Sequence, residues 1–215
     1  MAWTAPSTWV AGAILTAAQL NTQLRDNMLC GGPIYATEAL RNADIPSPFE
    51  GQRAYITGST VAAATGANTA VPTGITTIYN GTSWVCTTEV GATSYINATT
   101  TSGTYVTTLT GDGTAISATL ATGTTALITG WLKGSVSGAA TAAIAVSVSG
   151  ATTITAAASN FAASFASGTA GYQFSIPLMM IATGLTAGTN TFTLNYATAN
   201  TLTAIGRSLT VKAIA

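Results

Sequence analysis

The sequence predicts a mainly β protein: an N-terminal strap with one short α-helix, then a small module with a β-hairpin, then an antiparallel β-sandwich of jelly-roll type. Three observations lead there. After residue 90 the apolar residues recur with a period of two, the spacing of strands that bury one face. Glycine clusters punctuate that stretch where turns are needed. Charge also retreats from it: Arg25, Asp26, Glu38, Arg41, Asp44, Glu50, Arg53 and Glu89 lie in the first 89 residues, and only Asp112, Lys133, Arg207 and Lys212 in the remaining 126. These shifts divide the chain into residues 1–34, 35–90 and 91–215.

The first part opens with a helix signal. Thr16 as N-cap and Gln19 three residues later form a capping box, with Leu15 and Leu20 placed for a hydrophobic staple, so a helix should start at Ala17. Leu20, Leu24 and Met28 recur on one face, and Gly31-Gly32-Pro33 supplies the stop. A helix of about three turns is too short to stand alone in water, so its apolar stripe must meet its own fold, a sister chain or another protein.

In the second part, Pro46 and Pro48 forbid a helix across residues 45–51 and favour an extended strap. Ala54-Tyr55-Ile56-Thr57 reads as a strand, residues 58–74 as a polar loop, and residues 76–85 as a hairpin turning on Asn80-Gly81, a pair suited to a type I′ turn. In the third part, Ile144, Val146 and Val148 alternate with small residues; so do Tyr172, Phe174, Ile176 and Leu178, and Phe192, Leu194 and Tyr196. Weaker pulses fall at residues 105–110, 116–120, 127–133, 152–156 and 209–214, and only residues 156–166 compete as a helix. About eight short strands with turns between them point to the jelly roll.

Composition limits the chemistry. The 215 residues carry 6 Lys+Arg against 6 Asp+Glu, which excludes a basic nucleic-acid binder. Hydrophobic residues make up 47%, which excludes disorder, yet no run approaches 18 consecutive apolar residues, so no membrane helix is expected. The first six residues lack the basic start of a signal peptide. With no histidine, the commonest general base and transition-metal ligand is missing. Each acid reads as an exposed or salt-bridged surface group, Gly111-Asp112-Gly113 as a turn rather than a calcium loop, Cys30 and Cys86 as free thiols, and Trp84 and Trp131 as core. No catalytic, cofactor or metal site is predicted. A depolymerase using Asp112 or Glu89 is the residual enzyme reading.

Residues 3–12, Trp3-Thr4-Ala5-Pro6-Ser7-Thr8-Trp9-Val10-Ala11-Gly12, followed by Leu15-Thr16-Ala17-Ala18-Gln19-Leu20-Asn21 and Leu24-Arg25-Asp26-Asn27, resemble the start of tailed-bacteriophage virion proteins, the minor tail and head-fibre proteins. The stretch Ala36-Thr37-Glu38-Ala39-Leu40-Arg41-Asn42-Ala43-Asp44-Ile45-Pro46-Ser47-Pro48, with Glu50-Gly51 and Ile78-Tyr79-Asn80-Gly81-Thr82-Ser83-Trp84, is similar to their downstream module. The resemblance covers about the first 85 residues and implies a non-enzymatic component on the exterior of the particle, commonly trimeric. It implies docking on capsid or tail proteins through Trp3, Trp9, Val10, Leu20, Leu24 and Met28, with Arg25 and Asp26 fixing orientation. Neither a nucleic acid nor a membrane is expected as partner.

Composition gives an independent reason to expect a homo-oligomer. The chain has 43 Thr and 41 Ala, side chains that bury little area each, so faces buried between subunits must add to the core. A host-surface glycan is the alternative partner. Tyr105, Tyr172 and Tyr196 are the candidate sugar-stacking residues, although alternation puts the last two on core faces.

Overall fold

A computed structural model describes residues 14, 16, 17, 32–58, 62–71 and 74–214. Beyond Ala17 the expected N-terminal helix lies outside the described residues, as do Cys30 and the docking residues Trp3, Trp9, Val10, Leu20, Leu24, Arg25, Asp26 and Met28.

The small module is built on β1 (Ile34–Tyr35), α1 (Glu38–Asp44) and β2 (Arg53–Ile56). The sequence reading missed α1, because seven residues carry too short a periodicity to stand out. Its start is nonetheless encoded: Thr37 is the N-cap and accepts the Leu40 N–H through its hydroxyl, with Glu38 in the first turn and Arg41 in the last to suit the helix dipole. The helix ends at Ile45, immediately before Pro46, where helical backbone is disfavoured.

The segment expected as a polar loop contains β3 (Ala63–Thr65) and β4 (Asn68–Ala70). Their residues are small and mostly exposed, so no apolar alternation marks them. Backbone pairing to strands of the sandwich makes them strands. The module then resumes with β5 (Ile75–Tyr79) and β6 (Trp84–Cys86), giving a four-stranded sheet of order β1-β2-β5-β6 in which β1 and β2 are parallel.

The hairpin of β5 and β6 forms as expected, but its turn differs. Only Gly81 has positive φ, at 90°, and among the described residues Phe161 is the one non-glycine with positive φ. A type I′ turn needs that conformation at both central residues. Instead the Asn80 side-chain oxygen accepts the N–H groups of Thr82 and Ser83, at 3.1 and 2.9 Å, while the Asn80 N–H donates to the Ser83 carbonyl. Asparagine thus serves as an Asx cap.

The remaining strands are β7 (Val90–Ser94), β8 (Ala98–Thr100), β9 (Ser117–Thr122), β10 (Ala126–Val136), β11 (Ala140–Gly150), β12 (Ala162–Ser167), β13 (Gln173–Ala182), β14 (Gly188–Thr198) and β15 (Leu202–Ala213). One sheet runs β13-β10-β15-β7-β4, with β8 also on β15, and the other β12-β11-β14-β9-β3. Leaving out the short β3, β4 and β8, the orders β7-β15-β10-β13 and β9-β14-β11-β12 are those of a jelly roll closed by two Greek keys. The core between the sheets is made by Ile128, Leu132, Ile144, Val146, Phe192, Leu194, Tyr196 and Leu209, all fully buried, with Ala118, Ala126, Ala142 and Ala204 filling where the sheets approach.

Residues 156–166 are not a helix: they form a turn leading into β12. Residues 105–110 and 152–156 make only isolated bridges, Val106 to Tyr196, Leu109 to Asp112, Thr110 to Thr99, and Ile154 to Val148. Strand β15 begins earlier than its apolar pulse suggests. The register against β10 shifts between Lys133 and Gly134, leaving Ile205 as the extra residue of a bulge. Leu202 and Ala204 face the core on one side of it and Leu209, Val211 and Ala213 on the other, so even numbers give way to odd and no single alternation spans the strand.

Candidate functional site

Two ionisable side chains, Arg207 and Asp112, meet inside the sandwich. Arg207 stands in phase with Leu209 and Val211 on the inward face of β15 and is fully buried. Its guanidinium pairs with Asp112, itself 6% exposed. Asp112 is delivered by the loop the sequence marked as a turn: its N–H donates to the Leu109 carbonyl, and Gly111 has a φ of 98°. The carboxylate also accepts the Ser94 hydroxyl at 2.5 Å and the Thr114 N–H at 3.3 Å. Burial works to raise the Asp112 carboxyl, but Ser94, Thr114 and Arg207 outweigh it and hold the group below the ordinary carboxylate range.

This corrects the reading of Asp112 as a surface acid. The signal was present in the sequence: an arginine two residues before Leu209, on the alternation that points inward, requires a buried counter-charge. The Tyr196 ring lies 5.5 Å from the guanidinium carbon. Burial pushes the Tyr196 phenol up to about 12, with Arg207 acting in the opposite direction. The cluster ties β7, the 109–114 loop, β14 and β15 together, and its burial keeps it from any dissolved substrate.

A second buried cation holds the module together. Arg41 of α1 lies 4.4 Å above the Trp84 ring and donates to the Thr77 hydroxyl at 3.1 Å, which in turn donates to the Ala54 carbonyl. Desolvation lowers its pKa, partly opposed by Glu38 and Tyr35. Trp84 packs edge-on against Tyr79, ring centres 5.7 Å apart, and so belongs to the module's packing as expected. Cys86 is a free, buried thiol, and burial raises its pKa, which leaves it unreactive. Among the described residues no three His, Cys, Asp or Glu side chains come together to hold a metal, and no helix is long and apolar enough to cross a membrane.

The aromatic candidates separate. Tyr196 is fully buried, as alternation implied. Tyr172 is not on the core face; it precedes β13, is 57% exposed, and stacks on Phe165, which stacks on the buried Phe174. Tyr105 borders two adjoining grooves of about 240 and 280 Å³ that share Thr141, Ala143 and Ala158. Trp131 also departs from expectation. Leu132 takes the inward position on β10, so Trp131 points out of the sheet. There it lies over Gly206, where a Cβ would come within 2.6 Å of the indole, and beside Tyr95, ring centres 6.1 Å apart. Only glycine at 206 leaves room for the ring.

No family model matches the chain, and no curated protein matches it. Among solved structures it is similar to infectious bursal disease virus, Gx strain, with 16% identity over 65% of this chain and 42% of that one, at a TM-score of 0.45. The Gt strain of that virus gives 14% identity over 65% and 43%, at a TM-score of 0.41. The CBM22-1 and GH10 modules of Clostridium thermocellum xylanase 10B complexed with xylohexaose give 15% over 63% and 23%, at 0.31. The chain thus spans less than half the length of each of these structures, and likenesses at these TM-scores carry no functional argument.

Proposed function

We propose that the protein is a structural component of a tailed-bacteriophage virion: a non-enzymatic exterior fibre, spike or decoration, anchored by its N-terminal segment and assembled as a homo-oligomer, with a trimer implied by the sequence resemblance. The observation that carries this reading is the joining, in one chain, of the phage-like segment of residues 1–85 to a jelly roll, an architecture that recurs in viral capsid and lectin domains. A surface of threonine, serine and alanine, with almost no ionisable groups on the sandwich, suits a building part held beside many copies.

The test is removal of residues 1–31, which leaves every named strand in place. The truncated protein is expected to fold and to lose co-sedimentation with particles. Undiminished incorporation of the truncated protein would defeat the anchoring role.

One observation favours a second reading, a host-glycan adhesin. Tyr172 offers an exposed ring backed by Phe165 and Phe174, the kind of platform on which a sugar face stacks. On a glycan array, the adhesin reading expects binding that Tyr172→Ala abolishes; no binding by the intact chain removes it.

A further inference from the structure

The two sheets of the sandwich present unlike outer faces. On the β9-β14-β11-β12 sheet the outward positions include Ser117, Thr119, Thr191, Thr193 and Ser147. On the β7-β15-β10-β13 sheet they include Leu127, Trp131, Pro177, Met179 and Ile181, with Tyr95 alongside Trp131. Met179 is 77% exposed and Ile181 57%. In register, Met179 lies opposite Thr129, Ile181 opposite Leu127 and Pro177 opposite Trp131, so these side chains form one continuous patch across β13 and β10.

We infer that this face is where a second copy of the chain docks. The inference rests on the homo-oligomer in the proposed function and deepens it by naming the interface. Three features choose a second copy as occupant. The first is area: β7, β15, β10 and β13, of 5, 12, 11 and 10 residues, at about 4.8 Å between strands and about 3.3 Å per residue span roughly 600 Å² in projection. Side-chain relief enlarges that toward the ~800 Å² per partner of a standard stable interface.

The second is composition. Methionine and aromatic residues sit at the centre, while the charges on or beside this face, Lys133, Lys212 and the exposed Glu89 just before β7, stand toward the strand ends. An apolar centre with charge at the rim is the anatomy of a subunit interface. Glu89 lies with Gly91 and Thr210 on the β7 side of the face, away from the apolar patch on β10 and β13, so docking on that patch buries no carboxylate.

The third is the sheet edge. Strand β13 ends the sheet, and Pro177 in its middle cannot donate a backbone hydrogen bond. Edge-to-edge extension is thereby discouraged. Copies therefore associate through the face rather than by extending the sheet.

The experiment is native mass measurement of the full chain beside Met179→Asp/Ile181→Asp, with Thr141→Asp/Ser164→Asp on the opposite sheet as control. The intact protein and the control are expected as oligomers, and the Met179/Ile181 variant as a folded species of 21.4 kDa. An intact oligomer that the Met179/Ile181 substitutions leave at full mass overturns the assigned face while leaving the proposed function standing. A monomeric intact chain at every concentration overturns the oligomer itself. Should the variant not fold, peroxide oxidation of Met179 in the intact chain decides: slowing as concentration rises supports the interface, and a constant rate overturns it.

Discussion

Asp112→Ala is expected to destabilise the protein by about 3–5 kcal/mol, the cost of leaving a buried charge without its partner. Arg207 is fully buried and cannot turn to water when the carboxylate is removed. Its Nε and Nη1 already find no hydrogen-bond partner among the described residues, so Asp112 supplies the compensation the guanidinium receives from a formal charge. Denaturant unfolding of the variant checks the figure. Asp112→Ala/Arg207→Met is expected to recover much of the loss, since exchanging both charges for apolar groups removes the desolvation cost along with the attraction. A double variant as unstable as the single one would show that packing around residue 112, rather than charge, is what matters.

The same pair sets a response to acid. The folded Asp112 carboxyl lies below its ordinary value, so the unfolded chain binds the proton first as pH falls. The stabilisation is therefore complete above the ordinary carboxylate range and is lost as pH drops through the folded value. Unfolding measured across that range should show Asp112→Ala losing less stability in acid than the intact chain.

Phe192→Ala is expected to cost about 3–5 kcal/mol and to lower the melting temperature by roughly 6–20 °C. Phe192 is fully buried on β14, which has a paired strand on either side, so the surrounding backbone has little freedom to collapse into the space left. The composition raises the stakes. Only 5 Phe occur in 215 residues, and much of the surrounding core is alanine and valine, which cannot reach into a vacated volume. Calorimetry of the variant tests this; a melting temperature within 2 °C or so of the intact chain would mean that the core relaxes far more than packed interiors do.

How much of this was legible in the sequence depended on side-chain size. Strands β11, β13 and β14 announce themselves, because Ile144, Val146, Val148, Phe174, Ile176, Leu178, Phe192, Leu194 and Tyr196 mark every second position and all are buried. Strands β3 and β4 do not, because Ala63-Ala64-Thr65 and Asn68-Thr69-Ala70 carry no contrast between faces and owe their form to partners distant in sequence. The bulge at Ile205 hid half of β15 by reversing the parity of its inward positions. Trp131 was misjudged because large aromatics usually go inward; what put it outside was Leu132 on the core side and a glycine on the neighbouring strand, a relation only register reveals. Arg207 was readable from parity alone, but its partner was not, since 95 residues separate it from Asp112.

The excursion of the chain through β3 and β4 has a mechanical consequence. Between β2 and β5, neighbours in the small sheet, the polypeptide leaves to lay one short strand on each sheet of the jelly roll before returning. The front of the molecule is stitched to the barrel rather than tethered to it. A load on the small sheet is passed to ladders in both sheets of the sandwich, through β3 to one and through β4 to the other.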